Sequence, residues 1–208
     1  MFYEPHRRDR SLLPHDPFKA IVTPRPIGWI STRSRDGQIN LAPYSFFNGF
    51  SSAPALVGFS SEGAKDSATF ARDSGEFVVN VATLDLMSQM SATSGPFERG
   101  DNEFLRAGLT MAPCRLVAAP RVAESPASLE CRVTEIVELK LLDGSTADSF
   151  LVIGQVIGVH IDERAIRDGR FDTAAVKPIA RCGYQDYAVV DRVFSLKRPK
   201  GGGDLQAE

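Results

Sequence analysis

From Leu129 onward, apolar residues fall on odd positions (Leu129, Cys131, Val133, Val137, Leu139, Leu141), with Glu130, Arg132, Thr134, Glu138 and Lys140 on even ones. A period of two belongs to a strand with one wet face. Glu135 and Ile136 interrupt the alternation, which predicts a β-bulge that bends a long strand. After an Asp143-Gly144 turn, residues 150–161 are apolar on both faces, so each face needs a cover. One face suits a barrel interior, with Gly154 and Gly158 allowing tight curvature. The other calls for a helix or a second subunit, and a second copy is the cheaper cover for a chain with so little helix.

The first half of the chain reads as shorter pieces. Residues 1–20, with Pro5, Pro14 and Pro17, predict an irregular lead-in. Residues 27–32 and 38–41 flank Asp36-Gly37 and predict a β-hairpin. Pro43 is expected to end the pairing, leaving residues 45–50 as a loop. Residues 54–60 predict a buried strand, and residues 66–74 a short helix capped by Asp66, closed by Gly75 and starting just after Lys65. A strand over 77–81 follows. Thr83 then caps a helical pattern of Leu84, Met87 and Met90, residues 93–100 form a turn-rich surface loop, and 101–107 form a second short helix. The tail after Lys197 carries Gly201-Gly202-Gly203 and is expected to be disordered. The division is therefore a lead-in (1–20), one domain (21–197) and a tail (198–208), without internal repeats.

Composition narrows the function. A net charge of −2 and no basic stripe interleaved with aromatics exclude nucleic acid and an anionic membrane as expected partners, leaving a small molecule. The N-terminus lacks the apolar core of a secretory signal, so a soluble cytoplasmic protein is expected. Cys114, Cys131 and Cys182 are too far apart for a C-x-x-C pair and read as small hydrophobes. His6, His15 and His160 have no paired spacing, so no metal site is expected.

Neither G-x-G-x-x-G nor G-x-x-x-x-G-K-[ST] is present, and no G-x-S-x-G elbow supports a catalytic serine. Any phosphate must be held by other donors: the hydroxyls of Thr32, Ser45 and Ser67, the charges of Arg33 and Lys65, and the free amides of the helix start near Asp66. Ser45-Phe46-Phe47-Asn48 adds a hydroxyl, two flat rings and an amide beside them. The pattern suits a cofactor with an anionic end and an aromatic end.

These residues occur in runs that resemble a known family. Asp16-Pro17-Phe18-Lys19-Ala20, residues 23–32, residues 37–48 and Lys65-Asp66-Ser67 are similar, in order and spacing, to the flavin reductase-like family of FMN-binding split β-barrels. The likeness continues through residues 77–80, Glu124-Ser125-Pro126, Leu129-Glu130-Cys131 and residues 181–184. The resemblance implies a mainly β fold, a Greek-key split β-barrel with a few short helices, working as a homodimer. It implies FMN held by Thr32, Ser45, Lys65 and Ser67 at the phosphate and ribityl end, and by Phe46, Phe47 and Asn48 along the ring, with Ser60 and Ser61 as weaker candidates; Ser31, Arg33 and Asp66, from the strand end and helix start beside them, complete the candidate set. It also implies hydride transfer from NADH or NADPH to the flavin, with no catalytic side chain and no metal, and reduced flavin passed to a flavin-dependent oxygenase or redox protein. The family commonly has lysine where this chain has Glu103, which would oppose an anion there and leaves open a flavin-binding electron-transfer protein without direct NAD(P)H activity.

Overall fold

In the computed structural model, which describes residues 1–197, the proline-rich lead-in carries a 3-10 turn at Pro5–Arg7 and one helical turn, α1 (Phe18–Ile21). Pro17 stands at the N-cap of α1, where its missing N–H costs nothing, and Asp16 accepts a hydrogen bond from the Phe18 N–H at 2.9 Å. Next come β1 (Arg25–Pro26), β2 (Gly28–Arg33), β3 (Ile39–Tyr44), β4 (Phe47–Ser52), β5 (Ala55–Glu62) and helix α2 (Asp66–Ser74). β6 (Glu76–Val81) leads through a 3-10 turn at Leu84–Leu86 into α3 (Met87–Ala92) and then α4 (Glu103–Arg106). The second half holds β7 (Met111–Ala112), β8 (Arg121–Val122), the long strands β9 (Ala127–Lys140) and β10 (Thr146–Ile161), β11 (Ile166–Arg167), β12 (Arg170–Phe171), α5 (Thr173–Val176), β13 (Ile179–Arg181) and β14 (Tyr187–Val189). Residues 198–208, the expected disordered tail, lie outside the described residues.

Seven strands form one antiparallel sheet in the order β3-β2-β6-β9-β10-β5-β4. Its edge strands, β3 and β4, are joined by the two-residue turn Ser45-Phe46, so the sheet must curl until its edges meet. The Ser60 N–H donates to the Phe46 carbonyl at 2.8 Å and ties the turn to β5. Ile30, Val57, Phe59, Phe77, Val79, Cys131 and Val152 fill the interior of the curl. The opposite face of β2 and β3 buries Trp29 and Leu41 under Leu86, Met90 and Phe104.

The β2–β3 hairpin turns at Gly37, whose φ of +91° only glycine adopts freely. Pairing does not stop at Pro43, which sits opposite Trp29 with the strand running on to Tyr44. β3 is an edge, and the nearby Leu41 N–H of the same parity points away from β2, so the missing N–H of Pro43 costs no ladder bond. Residues 45–50 are likewise not a loop. Beyond the Ser45-Phe46 turn, Phe47 opposite Phe59 begins β4, whose order comes from pairing with β5 rather than from its own Asn, Gly and Ser residues.

Helix α2 stops where expected, at Gly75 with φ of +78°, but its N-cap is Lys65 rather than Asp66, with no side-chain cap. The expected bulge lies at Thr134, skipped between the pairs Ile153–Glu135 and Gly154–Val133. At Gly154 a Cβ would lie 2.5 Å from the Phe77 ring and 3.0 Å from the Arg132 carbonyl. Gly154→Ala is expected to destabilise the fold by about 1–3 kcal/mol, read from urea unfolding midpoints. The second face of β10 is covered in part by neither a helix nor another copy: Ile157 packs on a cluster that includes Val117 and Ala119. Among the described residues no helix is long and apolar enough to cross a membrane.

Candidate functional site

Two clefts flank the end of β3. The first, of about 560 Å³, lies between β3, the start of α2 and residues 93–99. Its floor is a chain of polar contacts that begins at Glu103, which is 5 % exposed. The Glu103 carboxylate accepts the outward-pointing Leu41 N–H at 2.9 Å and the Asn40 amide at 2.8 Å. Asn40 in turn accepts the Ser67 hydroxyl at 2.5 Å, and Tyr44 lines the same cleft with its phenol facing Ser67 and Ser61. Burial pushes the pKa of Glu103 and of Tyr44 above the ordinary values. Glu103 therefore completes the edge strand; it does not stand in the cleft as a free opposing charge. Glu103→Ala would leave two buried donors unmet, a loss of about 1–3 kcal/mol by chemical denaturation.

The mouth of this cleft is cationic. Lys65 is exposed and makes no ion pair among the described residues. Arg99 reaches over from the turn-rich segment to Asp66 at 2.8 Å. Among the described residues the first N–H groups of α2, at Asp66, Ser67 and Ala68, have no acceptor, so donors and a partial positive charge converge there.

The second cleft, of about 440 Å³, is lined by residues 21–26, the Ser45-Phe46 turn, Phe47, Asn48 and Ser60. Arg25, 5 % exposed, ties this wall together. It donates to the carbonyls of Lys19 and Val22, points its Nε at the Ser45 hydroxyl 3.5 Å away, and lies 5.6 Å from the centre of the Phe46 ring. Lys19 is 5.8 Å from the same ring and Phe18 packs beside it at 6.5 Å. The Phe47 side chain turns inward, close against Gly28 in the barrel interior, where a Gly28 Cβ would lie 2.6 Å from it. Tyr44 and Ser45 are consecutive, so the two clefts adjoin at the end of β3.

The structure thus brings Ser45, Phe46, Phe47, Asn48 and Ser60 together on one side, and Lys65, Asp66 and Ser67 on the other, with Ser61 linked through Tyr44. Ser31 is apart from both: fully buried, it donates to the Pro120 carbonyl at 2.5 Å and accepts from Asn80. Thr32 is also buried, and its hydroxyl has no partner among the described residues. Arg33 sits exposed beside the Gly37 turn. Asn40, Tyr44, Arg25 and Arg99 were not singled out from sequence. The even positions Asn40, Ala42 and Tyr44 share one face of β3, a signal the two-residue period carries; nothing local marks Arg99.

A curled antiparallel sheet with a polar cleft beside the turn that joins its edge strands defines a split β-barrel. The chain belongs to the flavin reductase like domain family, whose model matches residues 21–175. It is 36% identical over 183 residues to protein BH2278 of Halalkalibacterium halodurans, across 86% of this chain and 87% of that one. Among solved structures it resembles nitrilotriacetate monooxygenase component B from Bacillus cereus, at a TM-score of 0.86 and 26% identity over 94% of this chain and 98% of that one. It shares the fold of flavoredoxin from Desulfovibrio vulgaris (Miyazaki F), at a TM-score of 0.75 and 21% identity over 84% and 91% of the two chains.

Proposed function

We propose that the chain binds FMN across the two adjoining clefts and acts as an NAD(P)H-dependent flavin reductase. The observation that carries this reading is the pairing of a cationic, amide-rich pocket at Lys65 and the start of α2 with an aromatic, hydroxyl-bearing turn at Ser45-Phe46. A terminal phosphate carries about −1.5 to −2 charge at neutral pH. Lys65, Arg99, the first α2 amides and Ser67 are proportionate to it, while the backbone of residues 45–48 would line the ring. The Thr32 hydroxyl, buried opposite Asn40 and without a partner among the described residues, lies on the β2 strand behind the same end.

Bound FMN would supply hydride acceptance from NADH or NADPH, and the chain supplies position and polarity. The commitment of Glu103 to Leu41 and Asn40 removes the reason to disfavour an anionic nicotinamide donor. The likeness to an oxygenase component supports delivery of reduced flavin to a flavin-dependent oxygenase or redox protein. A homodimer in the cytoplasm is part of the same reading, supported by the exposed edge strand β4, on which Phe50 is 54% exposed.

The test is the visible spectrum of the purified protein, with and without added FMN, followed by NADH and NADPH oxidation under both conditions. A yellow protein that oxidises the nicotinamide is expected. A protein that fails to take up FMN overturns the cofactor assignment. One that holds FMN but is reduced only by a redox protein is an electron-transfer flavoprotein, the second reading, which still lacks a structural observation in its favour now that Glu103 is accounted for.

A further inference from the structure

A third cleft, of about 530 Å³, opens beside the end of β10 and shares no lining residue with the two at β3. We propose that it is a binding site for a small oxyanion, a carboxylate or a phosphate, gripped by Arg115 and Arg121. Both arginines line the cleft, and neither has an ion pair among the described residues. The Nε of Arg121 is buried with no hydrogen-bond partner there. A buried donor left unmet costs about 1–3 kcal/mol, and a planar fork of N–H groups matches an oxyanion in two-point fashion.

The acids around the cleft do not supply the missing partner. Glu130, 1 % exposed, accepts the N–H groups of Arg115, Leu116 and Val117 at 2.9, 2.6 and 3.0 Å and meets His160 at 2.5 Å. Those bonds fix the backbone that carries Arg115 at the rim, and they occupy the carboxylate. Asp162 is held by Arg164 through three contacts of 2.5 to 3.0 Å. The hydroxyl of Ser125 is turned to the carbonyls of Val81 and Ala127.

A cation is the less suitable occupant, although donor atoms of Cys114, Glu130 and His160 lie within 4.8 Å of one another. The Glu130 oxygens already hold their donors, Arg121 stands close to Cys114, and burial pushes that thiol up to about 12. Two unpaired arginines beside a neutral thiol favour negative charge.

Isothermal titration of the full chain with inorganic phosphate and, separately, with citrate tests the site and distinguishes its two ligand chemistries. Saturable binding of one of them is expected, weakened at least about tenfold by Arg121→Gln and by Arg115→Gln, the latter at an exposed position that keeps the test available if the former does not fold. FMN affinity should be unchanged in both variants, and oxyanion binding should survive Lys65→Ala, which separates this site from the phosphate pocket at α2. No saturable binding of either ion, full affinity in the Arg115→Gln, Arg121→Gln double variant, loss of binding in Lys65→Ala, or zinc binding abolished by Cys114→Ser in its place would each overturn the proposal.

Discussion

Glu130→Ala is expected to remove about 3–5 kcal/mol of stability, read as a shift of the urea midpoint at constant slope. The carboxylate is nearly inaccessible and is the common acceptor for three consecutive backbone N–H groups and His160. Alanine would leave those donors inside the protein without a partner. A loss below about 1 kcal/mol would mean that water enters and takes over the carboxylate's bonds.

The pH dependence of Glu130 has a definite sign. Burial by itself raises its pKa, but the N–H bonds from Arg115 and Leu116 and the contact with His160 outweigh burial, and the net direction is downward from 4.5. A depressed folded-state value means that its stabilisation is present above the unfolded pKa and lost as pH falls through the folded one. Glu103 works the other way. Its value is raised from 4.5 by burial, so its contribution to stability declines as pH climbs through that raised value. Acid titration of Glu130→Ala should therefore show a shallower loss of stability below pH 4.5 than the wild type does.

Lys65→Ala should weaken FMN binding at least about tenfold, because a charge-assisted hydrogen bond contributes about 1.5–3 kcal/mol. Arg99→Ala should weaken it as well, by a different route: it leaves Asp66, now paired at 2.8 Å, as an unopposed carboxylate at the mouth of the cleft. Quenching of FMN fluorescence on titration with each variant measures both. Unchanged affinity in the two variants would place the phosphate away from α2.

Much of this arrangement is legible in the sequence where the signal is local. Asp36-Gly37 marks a turn, Gly75 marks a helix end, and the alternation from Leu129 marks β9, because each depends on residues within a few positions. β4 was not legible, since its Asn, Gly and Ser residues favour a strand only once β5 lies beside them. Pro43 misled for the same reason: whether a missing N–H matters depends on which side of the strand has a neighbour. Lys65, Ser67 and Ser45-Phe46 were legible from their donors and rings beside a helix start and a hairpin exit, whereas Arg25 and Arg99 enter the clefts through the path of the backbone, which no spacing rule reports. The burial of Ser31 against Pro120 is a contact across 89 positions, beyond any local pattern.

The turn at Ser45-Phe46 is where the first and last strands of the curled sheet are fastened, so a guest lodged there would act as a clasp. Freeing the turn from β5 and releasing the guest become a single event, and the amide of Ser60 should exchange its proton more slowly as occupancy rises.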